Sequence, residues 1–103
     1  MPIADITIIP IGTETPSVSS YVAEIQKVLQ RNEGKVKYQL TPMSTLIEGE
    51  LSDLFDVIQQ LHEVPFANGI QRVATNIRID DRRDKKSTME GKLQAVKDQL
   101  NRS

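Results

Sequence analysis

The sequence contains no cysteine and only one histidine, His62. Without cysteine the chain can form neither a disulfide nor a thiolate metal site, which fits a reducing cytoplasm. A conventional zinc site and a cysteine or histidine nucleophile system both lack the residues that they need. No glycine-rich phosphate loop is present either. We therefore expect a non-catalytic protein with no metal site and no cofactor, and we interpret His62 as structural.

An excess of charge of one sign and a long hydrophobic run are also missing. The chain has 13 basic and 14 acidic side chains and a formal net charge of −1, so it has no broad positive field that would attract nucleic acid or anionic lipid. No stretch approaches the roughly 20 apolar residues that span a bilayer, and the amino terminus lacks a basic leader before an apolar run. We expect a soluble cytoplasmic protein without a membrane or nucleic-acid partner.

Aromatic residues are scarce, with two tyrosines, two phenylalanines and no tryptophan, and 38% of the 103 residues are hydrophobic. This length suffices for one domain with one core, so we predict a single domain over residues 1–103. The low apolar fraction predicts a modest core. Oligomerisation would be a natural way to bury more surface.

The first third of the chain predicts a strand followed by a helix. A run rich in β-branched residues over positions 3–11 is typical of a strand. Pro16 and Ser17 mark the start of the helix, and Asn32 and Gly34 mark its end. Its apolar positions recur with the helical period, and they are Val18, Tyr21, Val22, Ile25, Val28 and Leu29.

The middle of the chain predicts a hairpin and a second helix. Apolar and polar residues alternate over positions 36–41, and a turn at 42–44 leads into a third strand at 45–51. These two strands should pair in antiparallel fashion. Ser52 is placed to cap the next helix, and Pro65 to stop it. The apolar face of that helix consists of Leu54, Phe55, Ile58 and Leu61.

The last third predicts a long strand and a final helix. Val73, Thr75, Ile77 and Ile79 alternate with polar or small residues up to Asp80. Residues 87–90 (STME) match a capping box and should start the last helix. The apolar positions of this helix are Met89, Leu93, Val96 and Leu100.

The resulting order, βαββαβα, predicts an α+β fold. Two βαβ halves joined by a hairpin form a ferredoxin-like sandwich, in which a four-stranded antiparallel sheet carries two helices on one face, and a C-terminal helix is added. If Ile6 and Ile8 face the helices, Ile9 and Ile11 face the other way, beside Ala74. Apolar residues on an uncovered face indicate either association or a site covered by the last helix, and we favour association.

Glu48 is the first candidate for ligand chemistry. It lies in a predicted strand between Ile47 and Gly49, where a carboxylate either faces water or meets a donor. We interpret it as an acceptor for an amino group or a protonated ring nitrogen, with Gly49 leaving room for close approach. A solvated strand residue is the alternative.

Two further groups of polar residues adjoin this candidate. Thr41 and Thr45 add hydroxyls around the hairpin, and Met43 adds a polarizable surface suited to a flat ring, although ordinary turn chemistry also explains them. Asn76 and Arg78 alternate with apolar residues in the last strand, so both should project from one sheet face. They could orient a ligand, form an ion pair between subunits, or face solvent.

The run at residues 41–49 (TPMSTLIEG) resembles the signature of the YkoF-like thiamine-binding proteins. The tract at 76–84 (NIRIDDRRD), the strand opening with Pro10 and Gly12, and the serine-rich start of the first helix are also similar to that family. The resemblance covers nearly the whole chain.

The resemblance implies a ferredoxin-like domain that associates through its sheet, typically as a dimer of dimers, and that binds thiamine or its hydroxymethylpyrimidine moiety without catalysis. A carrier, salvage or sensing role would follow. Carried over to this sequence, it makes the candidate ligand-binding residues Thr41, Met43, Thr45, Glu48, Asn76 and Arg78.

Three other classes of function share this fold. An acylphosphatase-like enzyme needs a phosphate-cradling loop before the first helix, but residues 12–16 (GTETP) contain Glu14 and no basic residue. An RNA-recognition module needs aromatic residues on its central strands, yet Tyr38 is the only aromatic residue in the predicted strands. A structural or regulatory oligomeric subunit that binds another protein stays open.

Overall fold

The polypeptide folds as a four-stranded antiparallel sheet with helices on both sides. The computed structural model describes residues 1–12, 19–84 and 89–102. Its elements are β1 (Ile3–Pro10), α1 (Ser19–Arg31), β2 (Lys37–Leu40), β3 (Thr45–Glu48), α2 (Leu51–Ala67), β4 (Val73–Asp80) and α3 (Met89–Arg102). The strand order is β2-β3-β1-β4, and each neighbouring pair is antiparallel. The predicted ferredoxin-like α+β fold is confirmed.

Two predicted boundaries of α2 are wrong. The helix begins at Leu51 with Glu50 at the N-cap position and no side-chain cap hydrogen bond, so Ser52 lies within the first turn and does not cap it. Pro65 does not stop the helix, which continues to Ala67. A proline this close to the end removes only one backbone hydrogen bond, and Pro65 is fully buried. The predicted starts at Pro16 and Ser17 and at Ser87 lie outside the described residues.

One face of the sheet packs against α1 and α2. Ala4 of β1 is paired with Ile47 of β3, and both are fully buried on this face. Leu29 of α1 and Leu54 and Leu61 of α2 close over them and are fully buried as well. Burying side chains of this size stabilises the fold by about 1.5–3 kcal/mol each. The alternation of the strands therefore places the core between the sheet and these two helices.

Polar contacts fix the two packed helices. Asn32 is buried after the end of α1, and its Nδ2 donates to the Val28 carbonyl at 2.7 Å and to Gln60 Oε1 of α2 at 2.9 Å. His62 Nδ1 lies 2.7 Å from Thr75 Oγ1 of β4, and its ring meets the edge of Phe66 with centroids 5.4 Å apart. These contacts tie α1 to α2 and α2 to β4, and His62 makes a structural contact.

The side chains that alternate with the core positions point to the other face of the sheet, which we call the open face. On β1 they are Ile3, Asp5, Thr7 and Ile9, and their cross-strand partners lie on the same face. Ile9 lies opposite Ala74 on this face and is exposed, whereas Ile11 lies beyond the end of β1. The helix α3 lies near this face through Met89 and Leu93, and Lys92 forms an ion pair with Asp80. None of the described helices is long and apolar enough to cross a membrane.

Candidate functional site

The hairpin between β2 and β3 is held by the hydroxyl of Thr41. Its Oγ1 accepts from the backbone N–H of Ser44 at 2.9 Å and of Met43 at 3.3 Å, and it donates to the Ser44 carbonyl at 2.8 Å. Met43 lies beside this turn with 83% of its surface exposed. Thr41 thus uses its hydroxyl for the turn, as the alternative interpretation of the sequence anticipated.

Glu48 lies at the far end of β3 from the hairpin. It is opposite Ile3 on the open face and only 4% exposed, whereas Thr45 is opposite Ile6 and faces the helices. Three residues of strand separate Glu48 from Thr45 by about 10 Å. The structure therefore does not bring these two candidates into one site.

The space beside Gly49 is already occupied. A Cβ atom at Gly49 would lie 3.0 Å from Val36 Cγ1 and 3.1 Å from the Lys35 carbonyl oxygen. Glycine is needed here because the segment before β2 passes close to the end of β3. The prediction that Gly49 leaves room for a ligand is wrong, since the chain itself makes the close approach.

Asn76 and Arg78 project from the open face, as their alternation predicts. Arg78 is paired across the strands with Asp5, and Asn76 with Thr7. Arg78 Nη2 donates to Asp5 Oδ2 at 3.1 Å, although 84% of the Arg78 side chain is exposed. The ion pair therefore joins two strands of the same chain, and the exposed guanidinium is free to change its conformation.

A cavity of about 690 Å³ lies between the open face and the first turns of α3, and we call it the open-face cavity. Its volume falls in the range that accommodates small organic ligands. Apolar side chains form much of its wall, and Asp5 and Arg78 are among its polar groups. Its lining consists of Ile3, Asp5, Gln39, Thr41, Leu46, Arg78, Ile79, Asp80, Asp81, Met89, Lys92 and Leu93.

The charges around the open-face cavity are balanced. Three aspartates face two basic residues, Arg78 and Lys92, in its lining. The hydrogen bond from Lys92 and its positive charge lower the pKa of the Asp80 carboxyl, so Asp80 is ionised at neutral pH. Asp81 is in turn paired with Arg83 at 2.8 Å, so each of the three carboxylates has a cationic partner and the site carries no net charge that would favour an anion.

Asp5 is a residue of this cavity that the sequence analysis missed. Its Oδ2 accepts from Arg78, while its Oδ1 is buried and has no hydrogen-bond partner within the described part of the chain. The signal that singled out Glu48, a carboxylate inside an apolar strand, applies equally to Asp5 in the β-branched run of β1. Applied to both strands, it would have found Asp5.

A second cavity, of about 460 Å³, lies where the hairpin meets α1, and we call it the hairpin cavity. Thr41, Met43 and Thr45 line it together with Tyr21 and Ile25 of α1. The predicted residues are therefore divided between two places. Thr41 lines both cavities, and Arg78 lines the open-face cavity. Glu48 and Asn76 lie on the open face outside both linings.

Comparison with known proteins connects this architecture to one family. The sequence profile of the thiamine-binding protein family matches residues 4–97. The UPF0045 protein YqgV of Bacillus subtilis is 71% identical over 102 residues, which are 97% of this chain and 98% of YqgV.

Solved structures agree with the fold. The crystal structure of the hypothetical protein MJ1052 from Methanocaldococcus jannaschii superposes with a TM-score of 0.80 and 33% identity, covering 92% of this chain and 94% of MJ1052. A Thermotoga maritima protein provisionally assigned to thiamine biosynthesis or salvage superposes with a TM-score of 0.73, covering 92% of this chain and 97% of that protein. At 19% identity, that likeness shows the fold alone.

Proposed function

Because the chain belongs to the thiamine-binding protein family, we propose that it binds thiamine or its hydroxymethylpyrimidine moiety reversibly and does not catalyse a reaction. The ligand occupies the open-face cavity in this proposal. The observation that carries it is the composition of that cavity, which combines apolar walls with a carboxylate that has an unused oxygen. A carrier, salvage or sensing role in the cytoplasm follows.

The chemistry of thiamine matches this lining. An aminopyrimidine offers a flat face and an edge with hydrogen-bond donors, which apolar walls and a carboxylate can meet. Leu46 on β3 and Met89 and Leu93 on α3 provide apolar surface for the ring. The thiazolium ring carries a positive charge, which the aspartates of the lining can approach.

The six candidate residues differ in how directly the geometry supports them. Arg78 and Thr41 line the open-face cavity, and Met43 and Thr45 can contact a ligand only from the hairpin cavity. In this proposal Glu48 and Asn76 lie on the same sheet face as the ligand but outside the cavity lining. They would contact the ligand only if it extended beyond the cavity or if a second chain completed the site.

We also propose that the chain forms a homo-oligomer, a dimer of dimers in which open faces associate. Ile9 is exposed on this face, and β4 is an edge strand of eight residues with no neighbour on its outer side among the described residues. Apolar surface and an unpaired edge both favour pairing with a second chain.

Isothermal titration calorimetry with thiamine and with hydroxymethylpyrimidine, alongside light scattering for mass, tests the proposal. We expect saturable heat from an oligomer. The absence of heat with both compounds from a folded oligomer would overturn thiamine-class binding. Turnover of either compound would instead contradict the non-catalytic role.

Two arginine substitutions distinguish the cavities. Leu46→Arg fills the open-face cavity, whereas Leu40→Arg on the next strand projects into the hairpin cavity and leaves the open face unchanged. We expect Leu46→Arg to abolish measurable thiamine binding and Leu40→Arg to retain it, with circular dichroism confirming that both variants fold. The reverse result would move the site to the hairpin cavity.

A structural or regulatory subunit that binds another protein is the second candidate function. The observation that favours it is the apolar stripe of α3, in which Leu93, Val96 and Leu100 are all more than half exposed. Such a stripe fits a protein interface. If calorimetry detects no small ligand while light scattering shows an oligomer, the subunit role would remain as the proposed function.

A further inference from the structure

The open-face cavity contains a carboxylate that is held in place but only half satisfied. Asp5 lies on the inner strand β1, which is paired with β3 on one side and β4 on the other. Arg78 donates to its Oδ2, and its Oδ1 is buried without a hydrogen-bond partner in the described part of the chain. Buried polar atoms nearly always have a partner, so an exception in a native fold calls for a physical explanation.

None of the described side chains donates to Asp5 Oδ1, although the amide of Gln39 also lines the cavity. Its cross-strand neighbour on β3 is Leu46, which is apolar, and its neighbour on β4 is Arg78, which already donates to the other oxygen. Lys92, the cation that α3 contributes to the cavity, is paired with Asp80. Within the described residues Oδ1 is therefore left for water or for a donor on a ligand that enters the cavity.

The wall around Asp5 is loosely packed enough to admit such a group. Leu93 of α3 is 52% exposed, and the Arg78 guanidinium that covers one side of the carboxylate is more exposed still. Exposed side chains are not held by core packing, so neither is fixed in its position over the cavity. The sheet thus holds the Asp5 carboxylate in a fixed position, whereas the side chains of Leu93 and Arg78 that border it can change conformation.

We propose that Asp5 is the anchoring residue of the ligand site and that its carboxylate accepts a hydrogen bond from the exocyclic amino group of a planar heteroaromatic ligand. This inference rests on the proposed function and goes beyond it, because it states which edge of the ligand is recognised and by which residue. Leu46 and Leu93 then pack against the ring faces. An analogue with an oxygen in place of the amino nitrogen would set one acceptor against another.

The test measures the affinities of thiamine and oxythiamine, in which an oxygen replaces the pyrimidine amino nitrogen. Both are titrated into the wild-type protein, Asp5→Asn, Glu48→Gln and Asp53→Asn. All three variants make the same carboxylate-to-amide change; Glu48 is the competing candidate on the same sheet face, and Asp53, in the first turn of α2 and outside both cavities, is the control. Thermal unfolding of each variant shows whether it folds.

We expect the wild-type protein to bind thiamine at least about tenfold more tightly than oxythiamine, as loss of a hydrogen bond to a charged group implies. Asp5→Asn should weaken thiamine binding by about ten- to a hundredfold and remove most of this preference, because an amide offers both a donor and an acceptor. Asp53→Asn should stay within about twofold of the wild type, and Glu48→Gln should weaken binding less than Asp5→Asn does.

Each contrary outcome identifies what has failed. Equal wild-type affinities for thiamine and oxythiamine would overturn the assignment to Asp5 even if Asp5→Asn did not fold. Undiminished thiamine binding by folded Asp5→Asn would overturn it while leaving the proposed function intact. A loss of binding in Glu48→Gln alone would transfer the anchoring role to Glu48. No wild-type binding of either compound would overturn the proposed function and this inference together.

Discussion

The two faces of the sheet differ in how completely they are covered. On the helix side, Ala4 and Ile47 of the sheet and Leu54 and Leu61 of α2 are fully buried, and a hydrogen bond from Asn32 to Gln60 joins α1 to α2. On the open face, α3 adjoins a cavity of about 690 Å³, and its own apolar residues stay largely exposed. The difference indicates that the two faces have different roles: the helix side provides stability, and the open face leaves space for a ligand or a second chain.

The sequence gives a physical reason for this division. The helix side of β1 carries Ala4, Ile6 and Ile8, whereas its open side carries Asp5 and Thr7 between Ile3 and Ile9. Apolar side chains can be closed over completely, but a carboxylate in the middle of a strand needs a donor or water. The open face therefore cannot be packed as tightly as the helix side with these residues.

Truncating one leucine on each side should show the largest contrast. Leu54→Ala removes a fully buried side chain from α2 and should lower the free energy of unfolding by about 3 kcal/mol. Leu93→Ala on α3 should lower it by less than about 1 kcal/mol, since that side chain is already half exposed. Urea denaturation monitored by circular dichroism measures both. Losses of equal size would show that α3 is part of the core and would remove the distinction.

A second contrast compares two glycines, Gly49, which has close neighbours, and Gly34, which has none. Gly49→Ala places a methyl group against Val36 and the Lys35 carbonyl and should cost about 1–3 kcal/mol. Gly34→Ala is the matched control, because no atom lies within 4 Å of its added Cβ, and it should change stability by less than about 1 kcal/mol in either direction. The same denaturation experiment compares them. If Gly49→Ala left the free energy of unfolding unchanged, the segment before β2 would be able to move away from the added methyl group.

Local patterns predicted the order of elements and the direction of side chains in the sheet. Alternation alone placed Asn76 and Arg78 on one face and put Ile9 beside Ala74, because a strand has a fixed period of two. It failed at the ends of α2. Ser52 is a favourable cap residue, but the helix begins one residue earlier, at Leu51. Pro65 usually ends a helix, but here its ring is buried and the helix continues to Ala67.

The site was less predictable than the fold, because the cavity arises from contacts between distant segments. The wall opposite Asp5 belongs to α3, more than 80 residues away in the sequence, and no local pattern places that helix over the open face. The hairpin motif marked residues that the structure divides between two cavities. A motif therefore located the family, whereas tertiary geometry was needed to identify a carboxylate with an unused oxygen.

The smallest predicted effect concerns two exposed ion pairs, one on each side of the sheet. Lys35 donates to Asp56 Oδ2 of α2 at 2.8 Å, and Lys92 pairs with Asp80 between α3 and the open face. In each pair the hydrogen bond from the lysine and its charge lower the pKa of the aspartate. Both carboxyls therefore bind a proton less readily in the folded chain than in the unfolded one.

The sign of the pH dependence follows from that direction. Such a carboxyl contributes its full stabilisation above the ordinary aspartate pKa of about 3.9, and this contribution is lost as the pH falls through the lower pKa of the folded state. Asp56→Asn should thus be slightly less stable than the wild type at pH 7, and at pH 3, below the ordinary aspartate pKa of about 3.9, this difference should be smaller. Asp80→Asn should leave global unfolding unchanged at both pH values and instead speed hydrogen exchange in α3 at pH 7. If Asp80→Asn lowered global stability as much as Asp56→Asn does, α3 would unfold together with the core, and the open face would share in the stability that this comparison assigns to the helix side.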